Sequence, residues 1–236
     1  MGEVIETAAT DAAILVEAGF PALMVENWGD APFHAGSVPP ETVAAMTLAA
    51  QTVGGQGVPF GVNVLRNDPL SALGIAAVTG AALIRVNVLT GVMYTDQGVI
   101  TGQAAEVMRS RPALCPDVEV WADVMVKHAT PPPGLDAGQS AEDTVHRGLA
   151  DAVIVSGSGT GAEPDLAEAK MIADAVPGTR VVVGSGATPD NLATMLSVAD
   201  SVIVGSHIKL DGNADNRPDR SRCSAFVEAA AAKGML

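Results

Sequence analysis

The sequence predicts a parallel α/β barrel, (β/α)8 in plan but lacking its first strand, formed as one domain over residues 1–236 that starts at its first helix. Three observations carry this expectation. Short aliphatic segments alternate with helix-patterned stretches, the rhythm of a parallel sheet with right-handed crossovers. Only seven such strands are visible, and the chain opens on a helix, as a barrel without its first strand would. In the segment Ala81 to Gly102, Leu83, Arg85 and Asn87 alternate with Ile84, Val86 and Val88, so a strand with one aliphatic face turns the other, largely polar, towards an interior. A closed barrel has such an inward polar face, where neighbouring strands supply partners.

Each element has its own signal. Val4 to Ala18 is an amphipathic helix closed by Gly19, and Pro21 to Asn27 is a strand running into the loop WGDAPFHAGSVPP. After Pro39-Pro40, Thr42 to Val53 is helical, and Val58 to Arg66 is the next strand, leaving through RNDP. Pro69 to Thr79 is a helix and Ala82 to Val88 the strand already described. Leu89 to Thr101 holds two glycines, a TDQG run and no helical period, so it reads as a long functional loop. Gly102 to Leu114 is a helix, Val118 to Ala129 a strand, and the loop at Pro131-Pro132-Pro133-Gly134 separates it from a helix over Ala141 to Leu149. DAVIVSG, TRVVVGSG and ADSVIVGS supply the last three strands, and Arg220 to Ala232 the last helix.

Composition bounds the function. With 236 residues, 48% hydrophobic and 3% aromatic, the chain can bury a large aliphatic core of barrel size. A net charge of −14 argues against a nucleic-acid partner, because phosphate backbones need clustered Lys and Arg. Cys115 and Cys223 stand far apart without metal spacing, which fits a reducing cytoplasm and two buried apolar thiols. No run is long and apolar enough to span a membrane, and the start lacks a basic leader, so an integral membrane segment is not expected. SGSGTG follows a strand and precedes a helix, but its glycines fall at 157, 159 and 161, outside the dinucleotide spacing, and the strand lies late in the chain. No nicotinamide or flavin cofactor is expected.

The last two strands end in small-residue runs, GSGATPDN (Gly184 to Asn191) and GSHIKLDG (Gly205 to Gly212). The loops after strands seven and eight of a barrel commonly hold a phosphate on backbone N–H groups and a helix N-terminus. Gly184, Ser185, Gly186, Gly205 and Ser206 are therefore the phosphate candidates, against the alternative of plain turn glycines.

Those strand ends, with others along the chain, carry a resemblance. VENWGDAPF, GVNVLRND, IRVNVLTG followed by TDQG, ADVMVKHA, DAVIVSGSGTG, VVVGSGATPDN and VIVGSHIKLDG cover the chain in order and resemble the BtpA/SgcQ family. The resemblance implies a TIM barrel of the ribulose-phosphate-binding type, and it brings in a role in photosystem I accumulation on one side and a carbohydrate operon on the other. The family pattern opens with a strand before the first helix, and this sequence opens on the helix. Either this start lies too late, or the barrel has seven strands and an open seam, with the backbone of two strands unpaired and the site short of one wall.

Side-chain parity places the remaining polar residues. Met24 shares a face with Glu26, Asn63 lies on the face opposite Val62 and Val64, and Trp121, Asp123, Met125 and Lys127 share one face. Pointing inward, Glu26, Asn63, Arg85, Asn87, Asp123 and Lys127 would crowd one end of the barrel, where buried charges must pair or meet a ligand. Arg85 bridging Glu26 and Asp123 as a purely structural network is the plain alternative. Lys127 has two readings: paired with Asp123 it stays charged and holds an anion, and desolvated beside Arg85 it becomes a base or an imine-forming amine. Asp96, in the long loop, is a mobile acid or base or an exposed turn residue. Glu26, Asp30, His34 and His128 lack metal-ligand spacing, so no metal and no cofactor is expected. Trp28 and Phe33 stack on a ligand ring or pack over the rim.

The resulting expectation is a cytoplasmic enzyme acting on a small phosphorylated sugar or ribosyl compound by acid/base chemistry, with a homo-oligomer possible. Asp123, Lys127, Asp96 and Glu26 are the candidates for proton transfer, and Arg85, Asn87, Asn63, Asn27 and His128 for orienting substrate. Two other expectations stand beside it: a non-catalytic assembly factor for a membrane or photosynthetic complex, and a Schiff-base aldolase using Lys127.

Overall fold

The computed structural model describes residues 2–157, 159–161 and 165–234. Helix α1 (Gly2–Ala18) ends where Gly19 takes a φ of 99° and donates to Val16, a backbone turn glycine adopts at little cost. Strand β1 (Leu23–Glu26) follows, then α2 (Pro40–Gly54), started by a proline in its first turn. Strand β2 (Phe60–Asn63) is buried throughout, and α3 (Pro69–Thr79) begins at the Asp68 cap and stops at Gly80, φ 77°. Next come β3 (Leu83–Val86), β4 (Val92–Thr95), β5 (Gly98–Thr101), α4 (Ala104–Leu114), β6 (Glu119–Val124) and β7 (Ala129–Thr130). The chain ends with α5 (Ala137–Glu142), β8 (Ala152–Val155), α6 (Leu166–Ala175), β9 (Arg180–Val183), α7 (Leu192–Met195), β10 (Ser201–Val202) and α8 (Arg220–Ala232).

Seven of these strands form one parallel sheet in the order β1-β2-β3-β6-β8-β9-β10. Its aliphatic residues, Val62, Ile84, Val120, Ile154 and Val182 among them, have no exposed surface, as expected where helices cover a parallel sheet. Among the described residues β10 and β1 exchange no hydrogen bond, so the strand layer is open on that side. The helix layer spans the gap: α1 packs on α2 and on α8, and Phe20 stacks on Phe226 at a centroid distance of 6.0 Å. Trp28 Nε1 donates to Asp215 at 2.8 Å, tying the loop after β1 to the one after β10.

Three local expectations need correction. Leu89 to Thr101 is not an irregular loop: β4 and β5 form an antiparallel hairpin, and β7 pairs with β4 on its other side. Met93 and Ile100 are buried with Val88 and Val126 while Tyr94 and Val99 face out, a period of two hidden among turn residues. The strand expected to run to Ala129 ends at Val124, because Met125 (φ 54°) and His128 (φ 60°) are left-handed and break the side-chain alternation. The helix expected over Ala141 to Leu149 begins at Ala137, capped by Asp136, and its last turn, Asp143–Arg147, is widened to a π-helix.

Candidate active site

The strand ends place a charged layer under a cavity. Asp123, on β6, accepts hydrogen bonds from Arg85 Nε (2.9 Å) and Nη2 (2.8 Å), Asn87 Nδ2 (3.0 Å) and Ser156 Oγ (3.2 Å). Arg85 Nη1 reaches Glu26 Oε1 at 3.4 Å, and the same oxygen accepts from Asn63 Nδ2 at 3.0 Å. Arg85 therefore bridges the two carboxylates, with side-chain exposures of 3% for Arg85, 0% for Asp123 and 27% for Glu26. Burial by itself would pull the guanidinium down, but the charge and hydrogen bonds of Asp123, with Glu26 beyond, hold it above its ordinary value.

Above this layer lies a cavity of about 890 Å³. Glu26, Arg85 and Lys127 line it together with Gly184, Ser185, Gly186, Gly205 and Ser206, and a Cβ on Gly184 would come within 3.3 Å of the Arg85 guanidinium. It extends along the open side of the sheet towards Ala8, Ala12 and Leu15 of α1. Asn63, Asn87 and Asp123 lie beneath this lining rather than in it. Asn27 holds the loop after β2, its side chain accepting from Leu65 N (2.7 Å) and donating to Leu65 O (3.2 Å). Asp96 sits exposed in the turn of the β4–β5 hairpin, where Gln97 donates to it, the position of the exposed turn residue among its two readings. His128 is exposed, with Nε2 2.8 Å from Thr160 Oγ1, and Thr160 lines the cavity. Desolvation, then Arg66 and Lys127, pull His128 below its usual value.

Lys127 is half-buried, and desolvation first, then the charge of Arg85, lowers its pKa from the ordinary lysine value, against the pull of Glu26 and Asp123. Of its two readings, the one that pairs it with Asp123 finds no such contact among the described residues, where that carboxylate is filled by Arg85, Asn87 and Ser156. Lys127 reaches the cavity after a left-handed turn rather than by strand parity.

The glycine loops differ from expectation in one respect. Helix α7 has only four residues and starts after a turn in which Thr188 N donates to Asn191 Oδ1. What the loops offer is backbone: among the described residues, the amides of Gly186, Gly205 and Ser206 donate to no protein acceptor. Gly184 is required by a close approach, since a Cβ there would come 2.5 Å from Ile154 and 2.7 Å from the Ser156 hydroxyl.

Two groups of residues escaped sequence reasoning. Arg66, Asn67 and Asp68 are all buried: Arg66 Nη2 donates to the Lys127 carbonyl, Asn67 clamps both backbone groups of Val88, and Asp68 caps α3 while accepting from Val38 N. The signal was present as a polar run, RNDP, directly behind a buried strand. SGSGTG lacks the dinucleotide spacing, yet Thr160 and Gly161 form part of the cavity wall, and a Cβ on Gly161 would lie 3.4 Å from Ser206 Oγ. Among the described residues no group of three or more His, Cys, Asp or Glu gathers in metal-binding geometry.

A family model described as the BtpA family matches residues 1–232. The chain belongs to the BtpA family. The Photosystem I biogenesis protein BtpA of Synechocystis sp. (strain ATCC 27184 / PCC 6803 / Kazusa) is 47% identical over 97% of this chain and 80% of that protein. The sgc region protein SgcQ of Escherichia coli (strain K12) is 33% identical over 97% of this chain and 85% of its own length. Among solved structures, phosphoribosyl anthranilate isomerase from Thermus thermophilus superposes with a TM-score of 0.60, 16% identity, and 95% and 94% of the two chains covered. At that identity the likeness concerns the fold, which is of the TIM-barrel type. No helix among the described residues is long and apolar enough to cross a membrane.

Proposed function

We propose that this BtpA family member is an enzyme acting on a small phosphorylated, sugar-like compound. One observation carries the reading: residues on or just beyond six separate strands, two glycine loops whose amides meet no acceptor among the described residues included, line a single cavity with a carboxylate and an amine. The amides of Gly186, Gly205 and Ser206 would hold the phosphate, and Thr160 would close over it. Glu26 and Lys127 would move protons at the far end of the substrate. Asp123, with every acceptor site engaged, would act as an anchor that keeps Arg85 and through it Glu26 in place. Asn63 and Asn87 belong to the same support, and Asn27, Asp96 and His128 frame the site from outside it.

The name of the Synechocystis relative favours a second reading, an assembly factor for a photosynthetic complex. A thermal melt with a panel of pentose phosphates separates the two. A ligand present at about 100 times its dissociation constant adds roughly 2.7 kcal/mol, which raises the midpoint of a domain this size by about 5 to 10 °C. A cooperative melt that no phosphorylated compound moves would favour the assembly reading.

A further inference from the structure

We propose that Lys127 forms an imine with the carbonyl carbon of the phosphorylated substrate, so that the substrates are aldose or ketose phosphates rather than phosphorylated compounds at large. The inference rests on the phosphate-cup reading above and deepens it.

The sequence has four lysines. Three have engaged ammonium groups: Lys170 pairs with Asp174 at 2.9 Å, Lys209 donates to the Ala214 carbonyl, and Lys233 donates to the Pro189 carbonyl at 2.9 Å. The Lys127 ammonium has no hydrogen-bond or carboxylate partner among the described residues, although Glu26 lines the same cavity and acts on it electrostatically. A half-buried lysine that served only as a fixed charge would gain most from a paired carboxylate, which the closed network around Asp123 denies it. Its backbone, by contrast, is held: the buried Arg66 guanidinium donates to the Lys127 carbonyl, leaving the side chain as the free part. Burial beside Arg85 lowers its pKa, which raises the fraction present as the nucleophilic free amine. The glycine amides and Lys127 line the same cavity, so a substrate anchored there by its phosphate would have its carbonyl within the space this amine opens onto.

The chemistry balances with groups on the page. The Lys127 nitrogen lone pair adds to the carbonyl carbon, the C=O π pair moves to oxygen, and a proton passes from nitrogen to that oxygen through the Glu26 carboxylate. The carbinolamine then loses its hydroxyl and the remaining nitrogen proton as one water, leaving the C=N bond. No oxidant or reductant is needed.

Pyridoxal 5′-phosphate, which carries an aldehyde and a phosphate on one small ring, is a suitable probe for the whole chain. One equivalent, followed by borohydride and peptide mapping, is expected to place a reduced adduct on Lys127 in preference to Lys170, Lys209 and Lys233. Inorganic phosphate should suppress the adduct, and Lys127→Met should lose both the imine absorption and the label. Labelling spread over the other lysines, or none, overturns the proposal, and the mapping needs no variant to fold. Glycerol 3-phosphate, which has no carbonyl, keeps the two readings apart. If it raises the melting midpoint while the probe leaves Lys127 unlabelled, the phosphate site stands and the imine falls. If neither compound acts, both fall.

Discussion

The Asp123 carboxylate accepts four hydrogen bonds while fully withdrawn from solvent, and two of them come from one guanidinium. Removing a single charge from the Arg85–Asp123 pair is therefore costly. Asp123→Ala leaves Arg85 buried against only the more distant Glu26, and a loss of about 3 to 5 kcal/mol is expected, read from the urea midpoint. Replacing both partners together by apolar residues of similar size should recover most of that loss, because the desolvation of the pair disappears with its attraction. Parity along short strands was enough to bring Glu26, Asn63, Arg85 and Asp123 together from the sequence. It was not enough for Lys127, whose position depends on a left-handed Met125 that no residue type announces.

Among the elements, those with end signals were legible and those built from tertiary contacts were not. Helix α3 opens on Asp68, whose carboxylate accepts from Ser71 N at 3.1 Å and Ser71 Oγ at 2.7 Å, and closes on Gly80. The same carboxylate accepts from Val38 N at 2.9 Å, so it joins the long loop after β1 to the start of α3. Asp68→Ala should cost about 1 to 3 kcal/mol, the cap and the buried amide together, with the urea m-value unchanged. The β4–β5 hairpin was missed because its strands are four residues long and its buried residues, Met93 and Ile100, find their partners in Val88 and Val126 on other segments. A period of two over so short a stretch competes poorly with the turn residues between.

For the whole molecule, the open side of the strand layer between β10 and β1 sets both stability and shape of the site. Surface ion pairs cross it, Arg217 to Asp11 and Arg220 to Glu17, but exposed pairs of this kind contribute little. The apolar contact of α1 with α8 does more: Phe226 is buried and stacks on Phe20 while touching the His207 ring. Phe226→Ala should cost about 3 to 5 kcal/mol, and amide exchange should quicken in α1 and α8 together, before the β3–β6–β8 centre of the sheet. The sequence by itself determined the alternation of helices and parallel strands, the glycine loops and the inward charges, because each is written in local periodicity, turn residues or the parity of one strand. Only the tertiary structure decided that Asp123 is saturated, that Lys127 meets no partner among the described residues, that Arg66 is buried with its guanidinium on the carbonyl of that lysine, and that Thr160 joins the cavity wall. Those outcomes depend on which distant groups compete for the same few acceptors once the strands are side by side, and no local pattern records that competition.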